Sequence, residues 1–442
     1  MHEKIAFISL GCPKNQVDAE LMLHRLEDAG YELLDSPDGA DLAIVNTCGF
    51  IASAKQESID TILEMAQRKE DGDIGKILVI GCMAERYRDE ILKEIPEADA
   101  VAGIGANGKI EETVRSVLDG SFRSEYPPKA EMPLEGPRTQ TTPPYWAYLK
   151  IADGCSNCCT YCAIPSIRGP FRSRPLENVV KEAEELVAGG VRELILIAQD
   201  TTRYGEDLGG ELLLPKLLRR LGKIEDLKWI RLLYCYPDRI TDELLETMRD
   251  EPKVLHYIDL PLQHASGRIL AAMNRRGDRE SLTALIARIR DYLPDAVLRT
   301  TFITGFPGED EAAFEELGEF IEEIGFDRLG CFAYSPEEGT PAEALPDRPD
   351  EETAARRADL LMERQYDIMG DKLRDLIGTV AACVIEDYDG YTDSYTGRTW
   401  MDAPEIDTVI QLISSRPLET GDFVEALITD VNEYDLIGEV TD

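Results

Sequence analysis

Short apolar runs alternate with longer amphipathic stretches over residues 4–120. Short apolar runs are typical of buried strands, and apolar residues spaced three and four apart are typical of helices. The segments follow one another as KIAFISL, VDAELMLHRLEDAG, DLAIVNT, a helical stretch reaching Ala66, and KILVIG. This regular alternation predicts an N-terminal parallel α/β sheet.

A second series of strands and helices begins near Tyr145. Its six apolar runs are YWAYLKIA, ELILIAQ, WIRLLYCY, LHYIDL, VLRTTFIT and RLGCFAY, with helical stretches such as LENVVKEAEELVAGG among them. Six β/α units predict a partial (β/α)6 barrel. In such barrels the active site lies at the carboxyl ends of the strands.

Two changes in composition divide the chain. Pro and Thr accumulate in GPRTQTTPP, where the periodicity stops, and this predicts a linker. From about Gly378, short strands separated by Gly and Pro turns predict a small β-barrel. The predicted fold is therefore α/β and multidomain, with an N-terminal domain at 1–135, a linker at 136–144, a barrel at 145–370 and a β-barrel at 371–442.

The composition is that of a soluble globular protein, with 43% hydrophobic and 30% charged residues. The sequence contains neither an export signal nor an apolar run long enough to cross a membrane, so we expect a cytoplasmic protein. Its ten cysteines are then unlikely to form a disulfide framework, and their clustering indicates metal binding instead.

The formal net charge is −39, from 86 acidic and 47 basic residues. Such a charge opposes nonspecific binding to nucleic acid and suits a basic partner. Only 15 of the basic residues are lysines, however, and an acidic, lysine-poor surface is also typical of adaptation to a salty cytoplasm. Both interpretations of the charge stay open at this point.

Cys12, Cys48 and Cys82 each follow directly after one of the N-terminal apolar runs. The loops beyond the carboxyl ends of parallel strands form one crevice, so we expect these three thiols to converge there. Three ligands without a fourth fit an iron–sulfur cluster with one open iron better than a closed zinc site.

A second set of cysteines lies in IADGCSNCCTYCAIP, directly after the first barrel strand. Cys155, Cys159 and Cys162 have the spacing C-x3-C-x2-C, which lets three thiolates on one loop hold a cubane. The alternative is zinc, since Cys155 with Cys158, and Cys159 with Cys162, form two C-x2-C pairs. These pairs abut, whereas zinc sites usually separate their pairs, and the spacing therefore favours iron and sulfur.

At this point the sequence resembles the radical S-adenosylmethionine superfamily, and specifically its methylthiotransferases. Beyond the cysteine loop, the resemblance rests on SLGCPKNQVDAE, NTCGFI, GCMAERY, AQDTTRYG, PLQHAS, MNRRG, GFPGE and YSPEEGTPA. It implies two 4Fe-4S clusters. Cys155, Cys159 and Cys162 would hold the cluster that cleaves S-adenosylmethionine to a radical, and Cys12, Cys48 and Cys82 an auxiliary cluster involved in sulfur insertion.

Other residues follow from the same resemblance. Candidate S-adenosylmethionine contacts are Tyr161, Gln263 and the Gly189–Gly190 pair, although a Gly pair after a helix is also an ordinary helix stop. No catalytic side chain is assigned beyond the clusters. Cys158 occupies a variable position of the motif and is interpreted as a bystander, because it and Cys159 can hardly both face one cubane.

The tail resembles the TRAM domain, which binds RNA in relatives that modify tRNA. From Gly378 onward, however, it carries 15 acidic and 2 basic residues, a surface that repels phosphate. Together with SLGCPKNQVDAE, PLQHAS and YSPEEGTPA, this favours the branch that methylthiolates the β-carbon of an aspartate in the twelfth small-subunit ribosomal protein. The expected partners are that basic protein and an unidentified reductant protein, without nucleic acid or membrane, and the enzyme is expected to be a monomer.

Two alternatives remain. The first is the same chemistry on a tRNA adenosine, which a basic tail would have favoured. The second is a noncatalytic iron–sulfur electron carrier or zinc scaffold. A carrier needs neither an open iron nor a six-unit barrel with a substrate cavity, and it consumes no S-adenosylmethionine.

Overall fold

The N-terminal sheet is built around two strands that are buried on both faces. The computed structural model describes residues 3–441. Its first sheet has the order β2-β1-β3-β4-β5-β6 with all pairs parallel, as predicted. The strands are β1 (Lys4–Ser9), β2 (Glu32–Leu34), β3 (Ala40–Thr47), β4 (Ile74–Gly81), β5 (Ala100–Ala102) and β6 (Ser124–Glu125).

Helices cover both faces of this sheet. They are α1 (Pro13–Asp28), α2 (Ala52–Asp71), α3 (Cys82–Tyr87), α4 (Asp89–Glu94) and α5 (Ile110–Asp119). The second helix continues past the predicted end at Ala66, because its last turn is charged and carries no apolar signal. It ends at Gly72, whose φ of 85° is the left-handed conformation that glycine adopts easily.

The six predicted strands of the central domain all form and pair in parallel as an open, curved sheet. Its order is β14-β13-β12-β11-β10-β7. The strands are β7 (Trp146–Lys150), β10 (Glu193–Ile197), β11 (Trp229–Leu232), β12 (Val254–Asp259), β13 (Val297–Thr304) and β14 (Arg328–Ala333), and a separate small ladder pairs β8 (Ala152–Asp153) with β9 (Arg172–Ser173). An open six-stranded arc is the partial barrel that the sequence predicts.

The central helices are α6 (Ile164–Arg168), α7 (Leu176–Ala188), α8 (Glu206–Gly209), α9 (Leu214–Leu221), α10 (Asp242–Asp250), α11 (Gly267–Ala272), α12 (Arg279–Tyr292), α13 (Glu311–Ile324) and α14 (Glu351–Asp375). The boundary predicted after residue 370 falls inside the last of these helices. Leu361, Met369 and Leu373 are buried along one side of α14, so the amphipathic pattern continues across that boundary. The C-terminal domain therefore begins after Asp375.

The segment 136–144 contains no helix or strand, but it is held firmly in place. The Arg138 side chain is buried and forms ion pairs with Glu20 at 2.6 Å and with Glu182 at 3.0 Å. One partner lies on α1 and the other on α7, so the segment fastens the N-terminal domain to the central one.

The tail forms a closed barrel with the order β15-β16-β17-β19-β18. Its strands are β15 (Val380–Asp389), β16 (Ser394–Thr399), β17 (Ile410–Ile413), β18 (Phe423–Asn432) and β19 (Asp435–Val440). Arg398 pairs with Glu193 at 2.6 Å, and Asp402 pairs with Arg328 at 2.5 Å. Because Glu193 and Arg328 begin central strands, this barrel covers the amino ends of the central sheet and leaves the carboxyl ends to the N-terminal domain.

Within residues 3–441, the helices are all too short or too polar to span a membrane.

Candidate active site

The central cysteine loop follows β7 and β8 at the carboxyl end of the sheet. It opens with Gly154, whose φ is 77°. No larger residue could replace this glycine, because a Cβ there would lie 2.2 Å from the Pro170 carbonyl oxygen. The loop is held by its own backbone: the Cys155 amide donates to Gly169 at 3.1 Å, and the Cys162 amide donates to Cys159 at 3.1 Å.

The three predicted ligands of this loop lie close enough to influence one another. Burial, together with the neighbouring thiols, raises the pKa of Cys155 to about 11 and that of Cys162 to about 12. Partly buried thiols of this kind ionise readily only when a metal takes up their charge. The donor set and its placement thus fit a cluster held by three thiolates.

Arg275 is a functional candidate that the sequence analysis missed. It is buried, its Nη1 lies 3.7 Å from Cys159 Sγ, and its Nη2 donates to the Pro261 carbonyl at 2.7 Å. Its guanidinium also stacks 4.3 Å above the centre of the Tyr236 ring. The only signal in the sequence is its place in MNRRG, a motif that by itself assigns no role to the arginine.

Cys158 differs from its neighbours in both exposure and backbone. It is exposed, whereas Cys155, Cys159 and Cys162 are partly buried. Its φ of 54° is in the left-handed region, and its carbonyl accepts a hydrogen bond from Asn274 at 2.9 Å. This placement agrees with the interpretation of Cys158 as a bystander.

The auxiliary cysteines converge from adjacent strands. Cys12 follows β1, Cys48 follows β3, and Cys82 is the first residue after β4. A Cβ added at Gly11 would lie 3.1 Å from Cys48 Sγ, which places the loop of Cys12 directly against Cys48. Burial raises the pKa of Cys82 to about 12, and nearby Cys12 and Cys48 contribute in the same direction.

Neither set of cysteines is arranged as a site for a single ion. Among residues 3–441, no group of three or more His, Cys, Asp or Glu side chains is arranged around a single ion position. A cubane is larger, and each of its cysteine ligands binds a different iron.

A buried ionic cluster joins the two sets of cysteines. The Arg168 guanidinium lies 2.6 Å from Asp18, 2.9 Å from Asp153 and 3.4 Å from Cys82 Sγ. Lys150 completes the cluster, with Asp18 as one partner and Asp153 at 3.2 Å as the other. All four charged side chains are almost fully buried, so two positive and two negative charges balance each other away from water.

Lys14 lies next to this cluster and faces the central sheet. It is 6% exposed, and its ammonium lies 3.2 Å from the centre of the Tyr234 ring, in the loop after β11. Burial opposes ionisation of the Cys12 thiol, but the charges of Lys14 and Arg168 outweigh it and lower the Cys12 pKa.

The N-terminal domain also touches the opposite side of the central sheet. Glu337, in the loop after β14, is buried and pairs with Lys55 at 2.8 Å and Arg86 at 2.7 Å. These bases lie on α2 and α3. The N-terminal domain therefore spans the mouth of the partial barrel, from the loops after its first strand to the loop after its last.

The remaining predicted residues divide between the two ends of the sheet. Tyr161 lies between Cys159 and Cys162 and packs edge-on against Phe306 at 6.4 Å. Gln263 lies after β12, where its backbone N–H donates to the Thr301 carbonyl at 2.8 Å, so it too belongs to the carboxyl end.

The structure does not bring Gly189 and Gly190 to the cysteines. Gly189 caps α7, and a Cβ on Gly190 would lie 3.7 Å from the Pro144 carbonyl oxygen. Both glycines precede β10 and therefore lie at the amino ends of the strands, at the opposite end of the sheet from the cysteine loop.

Three family matches divide the chain as the fold does. Residues 4–103 match the uncharacterized protein family UPF0004, residues 149–321 the radical SAM superfamily, and residues 377–441 the TRAM domain.

Solved structures share the fold of a large part of the chain. A radical S-adenosylmethionine methyltransferase, TsrM from Kitasatospora setae, matches with a TM-score of 0.58 and 14% identity over 78% of this chain and 77% of that one. The cobalamin-dependent radical enzyme OxsB matches with a TM-score of 0.51 and 12% identity over 84% of this chain and 56% of that one. At these identities the likeness concerns the fold alone.

Curated relatives match along the whole chain. Proteins named ribosomal protein uS12 methylthiotransferase RimO are 47% identical in Desulfitobacterium hafniense, over 100% of this chain and 99% of the relative, and 49% identical in Desulforamulus reducens, over 99% of each. The protein of that name in Clostridioides difficile is 48% identical over 99% of this chain and 98% of the relative. With nearly half of all positions identical over the full length of both partners, the chain belongs to the family of ribosomal protein uS12 methylthiotransferases.

Proposed function

We propose that this enzyme methylthiolates the β-carbon of an aspartate side chain in ribosomal protein uS12, using two 4Fe-4S clusters and S-adenosylmethionine. The observation that carries the proposal is the position of Arg168 between the two cysteine sets: it contacts Cys82 of one set and pairs with Asp153, two residues before Cys155 of the other. A radical site and a sulfur site that share one crevice are what such a reaction requires.

The proposed ligands are Cys155, Cys159 and Cys162 for the cluster of the central domain, and Cys12, Cys48 and Cys82 for the auxiliary cluster. When bound, the clusters and S-adenosylmethionine supply the deoxyadenosyl radical, the sulfur and the methyl group. The chain's own residues hold these groups in place and keep water out of the crevice, because the N-terminal domain covers the mouth of the barrel.

Cationic side chains support both sets of thiolates. Arg275 places its positive charge beside Cys159, and Arg168 places its charge beside Cys82. Tyr161 and Gln263 remain proposed S-adenosylmethionine contacts, since both lie at the carboxyl end of the sheet. Gly189 and Gly190 lie at the amino end and have no place in this proposal.

The substrate is proposed from the surface of the C-terminal barrel. Some of its carboxylates are engaged with the central domain: Asp402 pairs with Arg328, and Asp407 accepts a hydrogen bond from Tyr257 at 2.6 Å. Other carboxylates remain exposed, namely Asp387, Asp389, Asp393, Glu425, Asp430, Glu433 and Glu439. An acidic face of this kind favours a basic protein over the phosphates of tRNA. Because the substrate belongs to the ribosome, we place the reaction in the cytoplasm.

The test is anaerobic reconstitution with iron and sulfide, followed by dithionite reduction with S-adenosylmethionine. Protein uS12 and bulk tRNA are offered separately, and products are identified by mass spectrometry. We expect 5′-deoxyadenosine and a methylthio mass gain on an aspartate of uS12 alone. A gain on tRNA alone would overturn the substrate, and two assembled clusters that yield no 5′-deoxyadenosine would overturn the radical chemistry.

A further inference from the structure

Three buried cations lie beside the cysteines, and two of them have carboxylate or carbonyl partners. Arg168 is paired with Asp18 and Asp153. Arg275 donates to the Pro261 carbonyl and approaches Cys159 Sγ. Lys14 is different: within residues 3–441, no carboxylate lies within 4.0 Å of its ammonium, and its partners are the Tyr234 side chain and the nearby Cys12 thiol.

This is an unusual state for a lysine that is 6% exposed. An ammonium removed from water is costly unless hydrogen-bond acceptors replace the water it loses. The Tyr234 side chain offers its π-face and its hydroxyl to the ammonium on one side. Because one side chain cannot occupy all three N–H donors of an ammonium, Lys14 can still donate to a group that binds beside it.

The position of Lys14 indicates which group that is. Lys14 follows Cys12 by two residues, at the start of α1, and its ammonium contacts Tyr234 in a loop at the carboxyl end of the central sheet. It thus lies between the auxiliary cysteines and the barrel mouth. A substrate side chain must reach this place if it is to meet both the radical and the sulfur.

We propose that Lys14 binds the side-chain carboxylate of the substrate aspartate and thereby selects aspartate over asparagine. This inference rests on the proposed function. The carboxylate carbon is bonded directly to the β-carbon that reacts, so an ion pair at Lys14 fixes the reacting atom within one bond of the anchor. The Tyr234 ring holds the ammonium in position from the opposite side, which makes Lys14 a substrate-binding residue with a predefined orientation.

The test crosses two enzymes with two peptides. Wild type and Lys14→Gln are reconstituted with both clusters, and anaerobic fluorescence anisotropy measures binding without S-adenosylmethionine or reductant, so that no turnover occurs. The probes are a basic peptide spanning the modified aspartate of uS12 and the same peptide with asparagine at that position. We expect wild type to prefer the aspartate peptide by about tenfold or more, the range of a charge-assisted hydrogen bond, and Lys14→Gln to bind both equally.

Two further variants sharpen the result. Lys14→Arg keeps the charge and is expected to keep part of the preference, whereas Lys93→Gln removes an exposed charge of the same domain and should leave it unchanged. The preference of wild type tests the proposal even if Lys14→Gln folds poorly. Equal binding of both peptides by wild type would overturn the role of Lys14, even with uS12 confirmed as the substrate.

The auxiliary cluster provides the competing explanation for Lys14, and its iron content and reduction potential are measured in each variant. A changed potential in Lys14→Gln together with an intact preference for aspartate would show that the lysine serves the cluster, and would overturn the proposal. A wild type that binds neither peptide and modifies tRNA would instead overturn the proposed function and this inference with it.

Discussion

The central cysteines are neighbours in the chain, whereas the auxiliary cysteines are neighbours only in the fold. Cys155, Cys159 and Cys162 share one loop, whose backbone closes on itself through the bonds at Cys155 and Cys162. Cys12, Cys48 and Cys82 end three adjacent strands, and their spacing depends on the pairing of β1, β3 and β4. The same kind of donor set is thus built once by local geometry and once by tertiary structure.

This difference determines what each set needs from the rest of the protein. The central loop needs a glycine turn and a few backbone hydrogen bonds. The auxiliary set needs its whole domain to be correctly formed and docked, and the contact between Arg168 and Cys82 ties it to the central domain. We therefore expect substitutions away from the cysteines to affect the auxiliary set more.

Removing one ligand from each set should give the largest and most distinct effects. Loss of an outer-shell partner costs a metal site up to about 100-fold in activity. Cys159→Ala removes a ligand itself, so we expect the rate of S-adenosylmethionine cleavage to fall by more than that. Cys48→Ala should still form 5′-deoxyadenosine but should transfer no methylthio group. Iron content and both products, quantified on the reconstituted proteins, test this difference.

Cys383, which is buried in the C-terminal barrel, provides the control. Cys383→Ala removes a thiol far from both sets and should keep the full iron content. Loss of 5′-deoxyadenosine in Cys48→Ala as well would show that the two sets do not act separately.

The next largest effect is expected from Arg168→Met. The change leaves Asp18 and Asp153 with only Lys150, and an uncompensated buried carboxylate typically costs about 3–5 kcal/mol. We expect the free energy of unfolding of the N-terminal domain to fall by that amount in urea titrations, and the auxiliary iron to be lost before the central iron.

Arg279→Met is the matched control, because Arg279 pairs with Glu319 and Glu323 on the surface. Exposed ion pairs contribute at most about 1 kcal/mol, so this variant should stay close to wild type. Equal loss of iron from both sets in Arg168→Met would contradict a special dependence of the auxiliary set on tertiary structure.

Glu337→Gln should have a smaller effect, since it weakens the second contact of the N-terminal domain without touching a cysteine. Lys55 and Arg86 keep a neutral acceptor but lose their charged partner, and hydrogen bonds to charged groups are worth about 1.5–3 kcal/mol. We expect faster hydrogen exchange in α2 and α3, with the iron content of both sets unchanged. Slower peptide modification without iron loss would support the role of this contact in covering the barrel mouth.

The same contrast explains how much could be predicted from the sequence. The six central strands and the alternating N-terminal segments are local patterns, and both were predicted correctly. The spacing of the central cysteines is a local pattern as well, and the cluster that it indicates stays a prediction. Even the convergence of Cys12, Cys48 and Cys82 followed from a general rule about parallel sheets. Topology also explains why Gly189 and Gly190 lie far from the cysteine loop, because a helix that precedes a strand must end at the amino end of the sheet.

The ionic cluster could not be predicted in this way. Arg168 and Asp18 are 150 positions apart, and Lys150 and Asp18 are 132 apart. In the sequence each is an ordinary charged residue, and only docking of the two domains removes it from water. Lys14 and Arg275 were missed for the same reason, because their significance comes from burial and from the partners that they have or lack.

The smallest expected effect concerns Cys158, and it tests how local the central set is. A non-glycine residue at a φ of 54° is strained, and asparagine tolerates this region better than cysteine does. We therefore expect Cys158→Asn to raise the free energy of unfolding by up to about 1 kcal/mol, to slow inactivation in air, and to leave iron content and 5′-deoxyadenosine formation unchanged. Cys159→Asn changes the next residue and should lose the cluster. A comparison of iron content in the two variants therefore distinguishes a cluster ligand from an adjacent cysteine that binds no iron. Iron loss in Cys158→Asn would make Cys158 a ligand, and the central loop would then hold its cluster through a different set of thiols from the one that its spacing predicts.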